Sequence, residues 1–412
     1  MRIAIVLLAL PLLQGPLMAQ ERLTLSRAIE LARAANPELA SARAGARAAA
    51  AWSRQAGSWP NPNLVFGRER TSGPDGVNGQ VTVHLEQRLE VTGVRTADRS
   101  AASARALAAD AELSRTGQLL DARVTKSFVH VVSARRRVAL SDRLRRLADS
   151  AAAIVARRAE AGDASGFDRR RLELEAARYT AASIAAQFDA NSAATGLAAL
   201  IGQPAIELDV VDTLPPLGPM ASVDSVLRGL PGRPDLQAAE LAVTAAAAEA
   251  TARSREWIPA PTLSAGYKAE ENAGRPARFT GFVAGLALPL PLWDRRSEAT
   301  AGRLALADRA RADRDRLHRD AATEVRRLAQ GLAALVEQRG VFGSRLGPEA
   351  DLALRSIAVA FGEGELPVAQ WLDAVRAYYE AQGALLDLDA AIAGRQADLA
   401  AAAGPTQIGG VR

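Results

Sequence analysis

Hydrophobic and polar positions follow two different periods along this chain. In residues 80–89 apolar side chains alternate with polar ones, and this period of two predicts a β-strand. Residues 63–70 are predicted to form its partner strand, across a turn rich in Gly, Asp and Ser. The second half of the chain has a matching pair of predicted strands at 262–269 and 278–290. The chain is therefore expected to contain two β-hairpins.

Helix-compatible segments rich in Ala and Arg surround the predicted hairpins. Residues 25–57 form the first segment, with a break expected at Pro37, and residues 94–160 form a second one that contains no proline. At 1.5 Å per residue, a helix over this second segment would be on the order of 100 Å long. Such a helix needs packing partners along its length, because isolated helices gain little stability from propensity alone.

Two glycine-containing turns are predicted to fold the long helical segments into hairpins. The first tip lies at 161–167 and is followed by a return helix to about residue 201. In the second half, the predicted elements are a helix at 235–257, a long helix at 295–361 with a kink at Gly347-Pro348, a tip at 362–367 and a return helix ending near residue 402. The expected fold class is thus mostly α with a small β part.

A proline-rich phrase occurs before each predicted hairpin. The first copy is Trp59-Pro60-Asn61-Pro62 and the second is Trp257-Ile258-Pro259-Ala260-Pro261. The copies are about 200 residues apart, and the order of the surrounding elements recurs with them. The sequence therefore predicts two structural repeats, at 20–201 and 235–403, with a connector at 202–234 and a flexible tail at 404–412. Pro60, Pro62, Pro259 and Pro261 are expected to mark helix-to-strand junctions, because proline fixes φ and lacks a donor.

The first 19 residues are typical of a secretory signal peptide. Arg2 precedes an apolar run at residues 3–13, and Ala19 offers a small residue just before a cleavage site. The run is too short to span a membrane, and Pro11 interrupts it. The sequence contains no cysteine, so we expect an exported protein without disulfides and without a lipid anchor on a cysteine.

The charge pattern and the polar residues indicate neither a nucleic-acid partner nor an enzyme. The 51 basic residues barely exceed the 46 acidic ones, and arginines alternate with acids along helical faces instead of clustering. The three histidines, His84, His130 and His318, are isolated from one another, and no catalytic motif is recognisable. We therefore expect no cofactor, no metal site and no catalytic residue.

The predicted strands have the length that a tilted strand needs to cross a bilayer. Four strands cannot close on themselves, and hydrocarbon does not tolerate unpaired strand edges, so a membrane sheet would have to be closed by other copies of the chain. Aromatic residues beside the strands, among them Trp59, Trp257 and Trp293, favour this interpretation. The alternative is that the strands form soluble hairpins that cap a coiled coil.

Several short motifs resemble the TolC-like outer-membrane efflux proteins, in particular the subgroup of cobalt-zinc-cadmium export systems, over almost the whole mature chain. The motifs are Leu23-Thr24-Leu25, Asn36-Pro37-Glu38-Leu39, Pro60-Asn61-Pro62, Leu89-Glu90-Val91-Thr92-Gly93, Glu160-Ala161-Gly162-Asp163-Ala164-Ser165, Gly364-Glu365-Leu366 and Trp371-Leu372-Asp373-Ala374. The resemblance rests on their order and duplication, since no single motif is specific.

This resemblance implies a homotrimer with a twelve-stranded transmembrane barrel and a periplasmic helical tunnel. It also implies three kinds of partner: outer-membrane lipid, a periplasmic adaptor (membrane fusion protein) and an inner-membrane pump of the resistance-nodulation-division type. The helical tips would contact the adaptor. The tip residues concerned are Gly162, Asp163, Ala164, Ser165 and Phe167 in the first tip and Gly364, Glu365, Leu366 and Pro367 in the second.

Some members of the family narrow the tunnel with acidic residues placed after the tip glycine. The corresponding positions here are Asp168, Gln370 and Asp373, and the uncharged Gln370 departs from the acidic pattern. Alternatively, either aspartate simply lies near a helix start, where a carboxylate interacts favourably with the helix dipole.

The sequence leaves two other classes of function open. A periplasmic adaptor or structural coiled-coil protein would also have helical hairpins, although adaptors usually combine one hairpin with compact β domains. A secreted pore-forming toxin would require a water-soluble monomer. Within the favoured class, the subgroup likeness points to divalent metal cations as cargo, and drugs are the alternative.

Overall fold

The computed structural model describes residues 22–74, 76–203, 209–215, 222–272, 278–345 and 348–404, which are mostly α-helical and include a four-stranded sheet. In chain order the elements are α1 (Leu25–Ala35), α2 (Pro37–Ala56), β1 (Asn63–Gly73), β2 (Gly76–Arg88), α3 (Val94–Ala161), α4 (Gly166–Leu200), α5 (Val223–Gly229), α6 (Pro234–Arg255), β3 (Thr262–Glu271), β4 (Arg278–Ala287), α7 (Ser297–Arg345), α8 (Pro348–Glu363) and α9 (Val368–Ala403). The signal-peptide segment and residues 405–412 of the tail lie outside the described residues.

Proline and polar caps explain where several helices begin. The break between α1 and α2 falls at Asn36, whose side-chain oxygen accepts hydrogen bonds from the backbone N–H groups of Glu38 and Leu39, directly before Pro37 at the first helical position. The long segment expected at 295–361 is two helices, because α7 ends at Arg345 and α8 begins at Pro348. Gly347, where the kink was expected, lies outside the described residues.

Four strand ends differ from the expected ones by two residues or more. β1 runs on to Gly73 instead of ending at residue 70, and β3 runs on to Glu271 instead of ending at residue 269. β2 begins at Gly76 instead of residue 80, because the hairpin turn is tight and Gly73 already pairs with Gly76. β4 ends at Ala287 instead of residue 290, because Ala287 pairs with Thr262, the first residue of β3 after Pro261. All three strand pairs are antiparallel, in the order β1-β2-β3-β4.

The segment expected to be a plain connector contains the short helix α5 and a 3₁₀ turn at Leu230–Gly232. Ser222 caps α5 by accepting a hydrogen bond from the N–H of Ser225, and Val226 is buried. The helix was not predicted because the segment is rich in proline and glycine, which are typical of turns and loops. Residues 204–208 and 216–221 of the same segment lie outside the described residues.

The chain divides into two compact units. One unit combines Met1–Ala34, Val124–Pro216 and Gln338–Gly394, and it contains both helical tips around a core rich in leucine and aromatic side chains. The other unit combines Ala35–Arg123, Leu217–Glu337 and Arg395–Arg412, and it contains the four-stranded sheet.

None of the helices among the described residues is both long enough and apolar enough to cross a membrane.

Candidate functional sites: the helical tips and the two-faced sheet

The first tip is a glycine-capped turn between α3 and α4. Gly162 has a φ of +87°, and its N–H donates to the carbonyl oxygen of Ala159 at 3.2 Å. The N–H of Asp163 donates to the carbonyl oxygen of Arg158 at 2.8 Å. This pair of hydrogen bonds is the Schellman motif, in which glycine adopts the left-handed conformation at no steric cost. The glycine therefore fixes where α3 stops.

The second tip repeats the same motif between α8 and α9. Gly364 has a φ of +89° and donates to the carbonyl oxygen of Phe361 at 3.2 Å, while the N–H of Glu365 donates to that of Ala360 at 2.9 Å. Pro367 then precedes α9, and its carbonyl oxygen accepts from the N–H of Trp371 at 3.1 Å. The two predicted tips thus have the same backbone construction.

An arginine joins the two tips. The guanidinium of Arg158, in the last turn of α3, donates a hydrogen bond from Nη2 to the carbonyl oxygen of Gly362 at 2.7 Å. A Cβ added at Gly364 would lie 3.3 Å from the same nitrogen, whereas a Cβ at Gly162 would meet nothing within 4 Å. Gly364 therefore adopts the left-handed conformation that the turn requires, and its lack of a Cβ leaves room for the guanidinium of Arg158.

An aromatic core supports the tips from behind. The rings of Phe361 and Trp371 lie 5.0 Å apart, and Trp371 is 1% exposed. Ala164 of the first tip and Leu366 of the second are partly buried against the same cluster. Phe167, by contrast, is 73% exposed, so the first tip presents a large apolar side chain to its surroundings.

The three predicted constriction residues differ in their surroundings. Asp168 accepts a hydrogen bond from the hydroxyl of Ser165 at 2.8 Å, and the hydroxyl in turn accepts from the N–H of Asp168 at 3.0 Å. This is an N-terminal cap of α4, so the helix-start interpretation of Asp168 has direct geometric support. Gln370 and Asp373 lie exposed in the first turns of α9.

A buried ion pair near the tips was not predicted. Glu175 has a side chain only 8% exposed and contacts the guanidinium of Arg376, while Arg178 lies 3.8 Å away. Its Oε2 atom has no hydrogen-bond partner among the described residues. The sequence carried a signal for this burial, because Glu175 has the helical spacing that puts it on the same face as the apolar residues Leu172 and Tyr179. The structure buries all three side chains.

A second polar cluster in the same unit contains Arg143, Asp351 and Tyr378. The Tyr378 hydroxyl donates to the Asp351 carboxylate at 2.5 Å, and Arg143 donates to the same oxygen at 2.9 Å. The hydrogen bond from Tyr378, followed by that from Arg143, lowers the pKa of Asp351. Burial, and then the hydrogen bond to Asp351, raises the pKa of Tyr378 to about 12. The cluster links α3, α8 and α9.

The sheet in the other unit has one mostly apolar face, which also carries Arg68, and one mostly polar face, which also carries Val65 and Val283. Directly paired residues share a face, so the strand register defines both. The apolar face carries Leu64, Phe66, Val81, Val83, Leu85, Leu263, Ala265, Tyr267, Phe282, Ala284 and Leu286. The polar face carries Glu69, Gln80, Thr82, His84, Glu86, Ser264, Lys268 and Glu270. Phe282 is 96% exposed, so the apolar face is not covered by the rest of the chain.

The junction prolines lie in the two short connections between helix and strand. Pro60 and Pro62 lie between α2 and β1, and Pro259 and Pro261 lie between α6 and β3. The carbonyl oxygens of Pro60 and Pro261 accept hydrogen bonds from the Gln87 side chain at 3.1 Å and from the N–H of Leu89 at 2.8 Å, respectively. These bonds attach each connection to the end of β2.

The described residues contain no group of three or more His, Asp or Glu side chains arranged to hold a metal ion. His84 contacts Glu86 at 3.1 Å on the polar face of the sheet, and His318 lies 3.9 Å from Glu240.

Three known proteins are similar to this chain over most of its length. The match to the outer-membrane channel OprN covers 92% of this chain and 89% of the OprN chain, at 20% sequence identity and a TM-score of 0.78. The match to the outer membrane protein VceC of Vibrio cholerae covers 92% of this chain and 96% of the VceC chain, also at 20% sequence identity and a TM-score of 0.78. The cobalt-zinc-cadmium resistance protein CzcC of Cupriavidus metallidurans is 27% identical over 378 residues, which is 87% of this chain and 85% of CzcC.

The fold is therefore that of the outer-membrane efflux channels. The family model described as outer membrane efflux protein matches residues 28–203 and again residues 229–405, and the chain belongs to this family. The predicted resemblance to TolC-like efflux proteins of the heavy-metal type is confirmed by these matches. The protein is an outer-membrane efflux channel and not an enzyme.

Proposed function

We propose that this protein is the exit duct of a tripartite efflux pump and that it passes substrates without energy input from the periplasm to the exterior. In this proposal the chain is exported by its signal peptide, inserts its strands into the outer membrane and extends its long helices into the periplasm. It carries no lipid on a cysteine, since the sequence has none.

The two-faced sheet is the observation that carries the proposal. Its exposed apolar face suits lipid, and its strands of 10 to 13 residues are long enough to cross a bilayer when tilted. The outer edges of β1 and β4 have no partner strand among the described residues. Such edges cannot remain open in hydrocarbon, so β4 of one copy would pair with β1 of the next.

A homotrimer is the assembly that we infer, with four strands from each copy in one twelve-stranded barrel. The polar face, with Gln80, His84 and Lys268, would line the water-filled interior, as expected for a barrel of this type. The long helices would continue the barrel as a tunnel. The two separate matches to the family model support the inference that each chain is itself a duplicated unit.

The helical tips are the proposed contacts for a periplasmic adaptor and, through it, for an inner-membrane pump of the resistance-nodulation-division type. The exposed ring of Phe167 offers an apolar contact at the first tip, and the two glycine turns give both tips the same backbone conformation. Asp168, Gln370 and Asp373 are proposed to line the narrow end of the tunnel. A passive duct needs no cofactor and no site that retains its cargo.

Divalent heavy-metal cations are the proposed cargo. The support is the relative CzcC, whose name records resistance to cobalt, zinc and cadmium. A duct for drugs is the alternative, because the pump and not the duct would select the substrate in either system.

Membrane fractionation and cysteine cross-linking test the assembly. The chain has no native cysteine, so every cross-link must form between the introduced cysteines. We expect Glu69→Cys in β1 with Gly281→Cys in β4, bridged by a bifunctional maleimide, to give covalent trimers in the outer-membrane fraction. The matched control, Thr82→Cys with Lys268→Cys, joins directly paired residues of one chain and should give monomers. Recovery of the protein in the soluble periplasm without detergent would refute the barrel and favour an adaptor or structural coiled-coil protein.

A further inference from the structure

A stripe of large apolar side chains on α4 is exposed in the single chain. Leu174, Ile184 and Phe188 are 73%, 67% and 72% exposed, respectively, and we call them the outer stripe of α4. Leu174, Ala181 and Phe188 recur at the heptad spacing of a coiled-coil seam, with Ile184 on the same side of the helix. Large apolar side chains repeated at this spacing indicate a packing partner, because leaving them in water is unfavourable.

The outer stripe lies opposite the face by which α4 packs on its own chain. Leu172, Tyr179 and Ala186 are buried on that inner face. Since each residue turns an α-helix by about 100°, the inner face and the outer stripe point in nearly opposite directions. A helix that is apolar on two opposite sides packs between two partners, and the chain itself supplies one of them.

The helix α8 has the same two-sided pattern. Leu354 and Phe361 are buried in the core that supports the tips. Leu352 and Val359, one heptad apart, are exposed on the opposite side of the helix, and we call them the outer stripe of α8. Glu363 continues this exposed line to the end of the helix.

The two helices pack on the same neighbours within the chain. From α4, the Ser183 hydroxyl donates to the Asp142 carboxylate of α3 at 2.6 Å, and Glu175 contacts α9 through its ion pair. From α8, Asp351 accepts hydrogen bonds from α3 and α9 in the polar cluster with Arg143. Thus α4 and α8 flank the same core, and their outer stripes face away from it.

We propose that the outer stripe of α4 packs against the outer stripe of α8 from the next copy, which adds a helical interface to the proposed pairing of β4 with β1. The two helices run in opposite directions relative to the tips. At 1.5 Å per residue, Leu174 lies about 12 Å from the tip end of α4, between the heights of Val359, at about 6 Å, and Leu352, at about 17 Å. Arg170 and Glu363 place opposite charges at the tip end of the two stripes. This inference rests on the proposed ring of three copies.

Cysteine cross-linking of the full chain in outer-membrane vesicles tests the proposal. We expect Leu174→Cys with Leu352→Cys, treated with a short bifunctional maleimide, to give covalent trimers. The matched control, Leu174→Cys with Ala353→Cys, moves the second cysteine by about 100° around α8 and should give mainly monomers. All three positions are exposed in the single chain, so these changes should leave its folding intact.

The sheet pair Glu69→Cys with Gly281→Cys separates this inference from the proposed assembly. Trimers from the sheet pair with only monomers from the helix pair would overturn the packing of α4 on α8, as would equal trimer yields from the helix pair and its control. Monomers from the sheet pair and the helix pair alike would instead refute the proposed homotrimer, and this inference with it. Labelling of Leu174→Cys trimers by a bulky maleimide that stops only when the adaptor binds would assign the outer stripe of α4 to the adaptor and contradict the proposal.

Discussion

The Arg158 side chain of the first tip donates a hydrogen bond to the carbonyl oxygen of Gly362 beside the second tip, at 2.7 Å. These residues are far apart in the sequence and belong to different helical hairpins. Their contact means that the two tips of one chain are connected through a charged donor, and a disturbance of one tip is expected to reach the other.

Removal of this donor should loosen the second tip. We expect Arg158→Gln to lower the local stability of the turn by about 1.5 kcal/mol, because a hydrogen bond from a charged group is lost. Hydrogen exchange at the Glu365 amide measures the effect. Arg157→Gln is the matched control, since the hydrogen bond that Arg157 makes among the described residues goes to the carbonyl oxygen of Ala153 in its own helix. Equal exchange in both variants would show that the contact does not stabilise the tip.

Alanine at the tip glycines should destabilise the protein through the backbone. Gly162→Ala and Gly364→Ala each place a Cβ in the left-handed region, at a cost of about 1–2 kcal/mol. The cost at Gly364 should be the larger, because the new Cβ also approaches Arg158. Gly45→Ala, inside α2 with free space around it, should stabilise instead. Thermal unfolding of the three variants tests this order, and an equal melting temperature for all three would contradict it.

Larger side chains at the same glycines test the proposed contact with the adaptor. We expect Gly162→Trp and Gly364→Trp to impair pump assembly while trimers remain intact, because the bulk is added at the tips and not in the barrel. Co-purification of the adaptor measures assembly, and Gly45→Trp is the control. Normal export by both tip variants would remove the tips from the mechanism.

The ion pair between Glu175 and Arg376 should be costly to break from one side. We expect Arg376→Ala to destabilise the protein by about 2 kcal/mol, because the buried carboxylate of Glu175 loses its main partner. Glu175→Gln added to this variant should recover part of the loss. Chemical denaturation of the single and double variants measures the coupling, and simple additivity of the two changes would refute the predicted interaction.

The cluster of Asp351 and Tyr378 predicts two limits of pH stability. The pKa of Asp351 is lowered from 3.8 in the folded protein. Its contribution to the free energy of unfolding is therefore present above about pH 4 and is lost as the pH falls through the pKa of the folded state. The pKa of Tyr378 is raised from 10.0 to about 12, so its contribution is lost as the pH rises between these values. Asp351→Asn should flatten the acid limb of a plot of melting temperature against pH. An unchanged acid limb would exclude Asp351 as its cause.

Much of the secondary structure was predictable because local residues determine it. Gly162 and Gly364 end helices through their own backbone conformation, and Pro37 begins one, so these boundaries follow from a few neighbouring positions. Alternation in β2 similarly placed Val83 and Leu85 on one face. These signals require no knowledge of distant parts of the chain.

Contacts between distant segments were not predictable in the same way. Nothing near Arg158 in the sequence indicates that it bonds to Gly362, and the end of β4 depends on where β3 begins. The surroundings of Asp168 also needed three-dimensional geometry, since only the hydrogen bonds with Ser165 show that the two residues together cap the start of α4. The paired glycine turns were predicted as tips, whereas their connection was not.

Metal and drug tolerance of a deletion strain tests the central claim most directly. In a strain that lacks other outer-membrane efflux channels, loss of this chain should lower tolerance to cobalt, zinc and cadmium, and the unaltered chain should restore it. A drug panel measured in parallel distinguishes the two cargo classes. Sensitivity to drugs with unchanged metal tolerance would contradict the proposed cargo, and unchanged tolerance to both would contradict the proposal that this chain is an efflux duct.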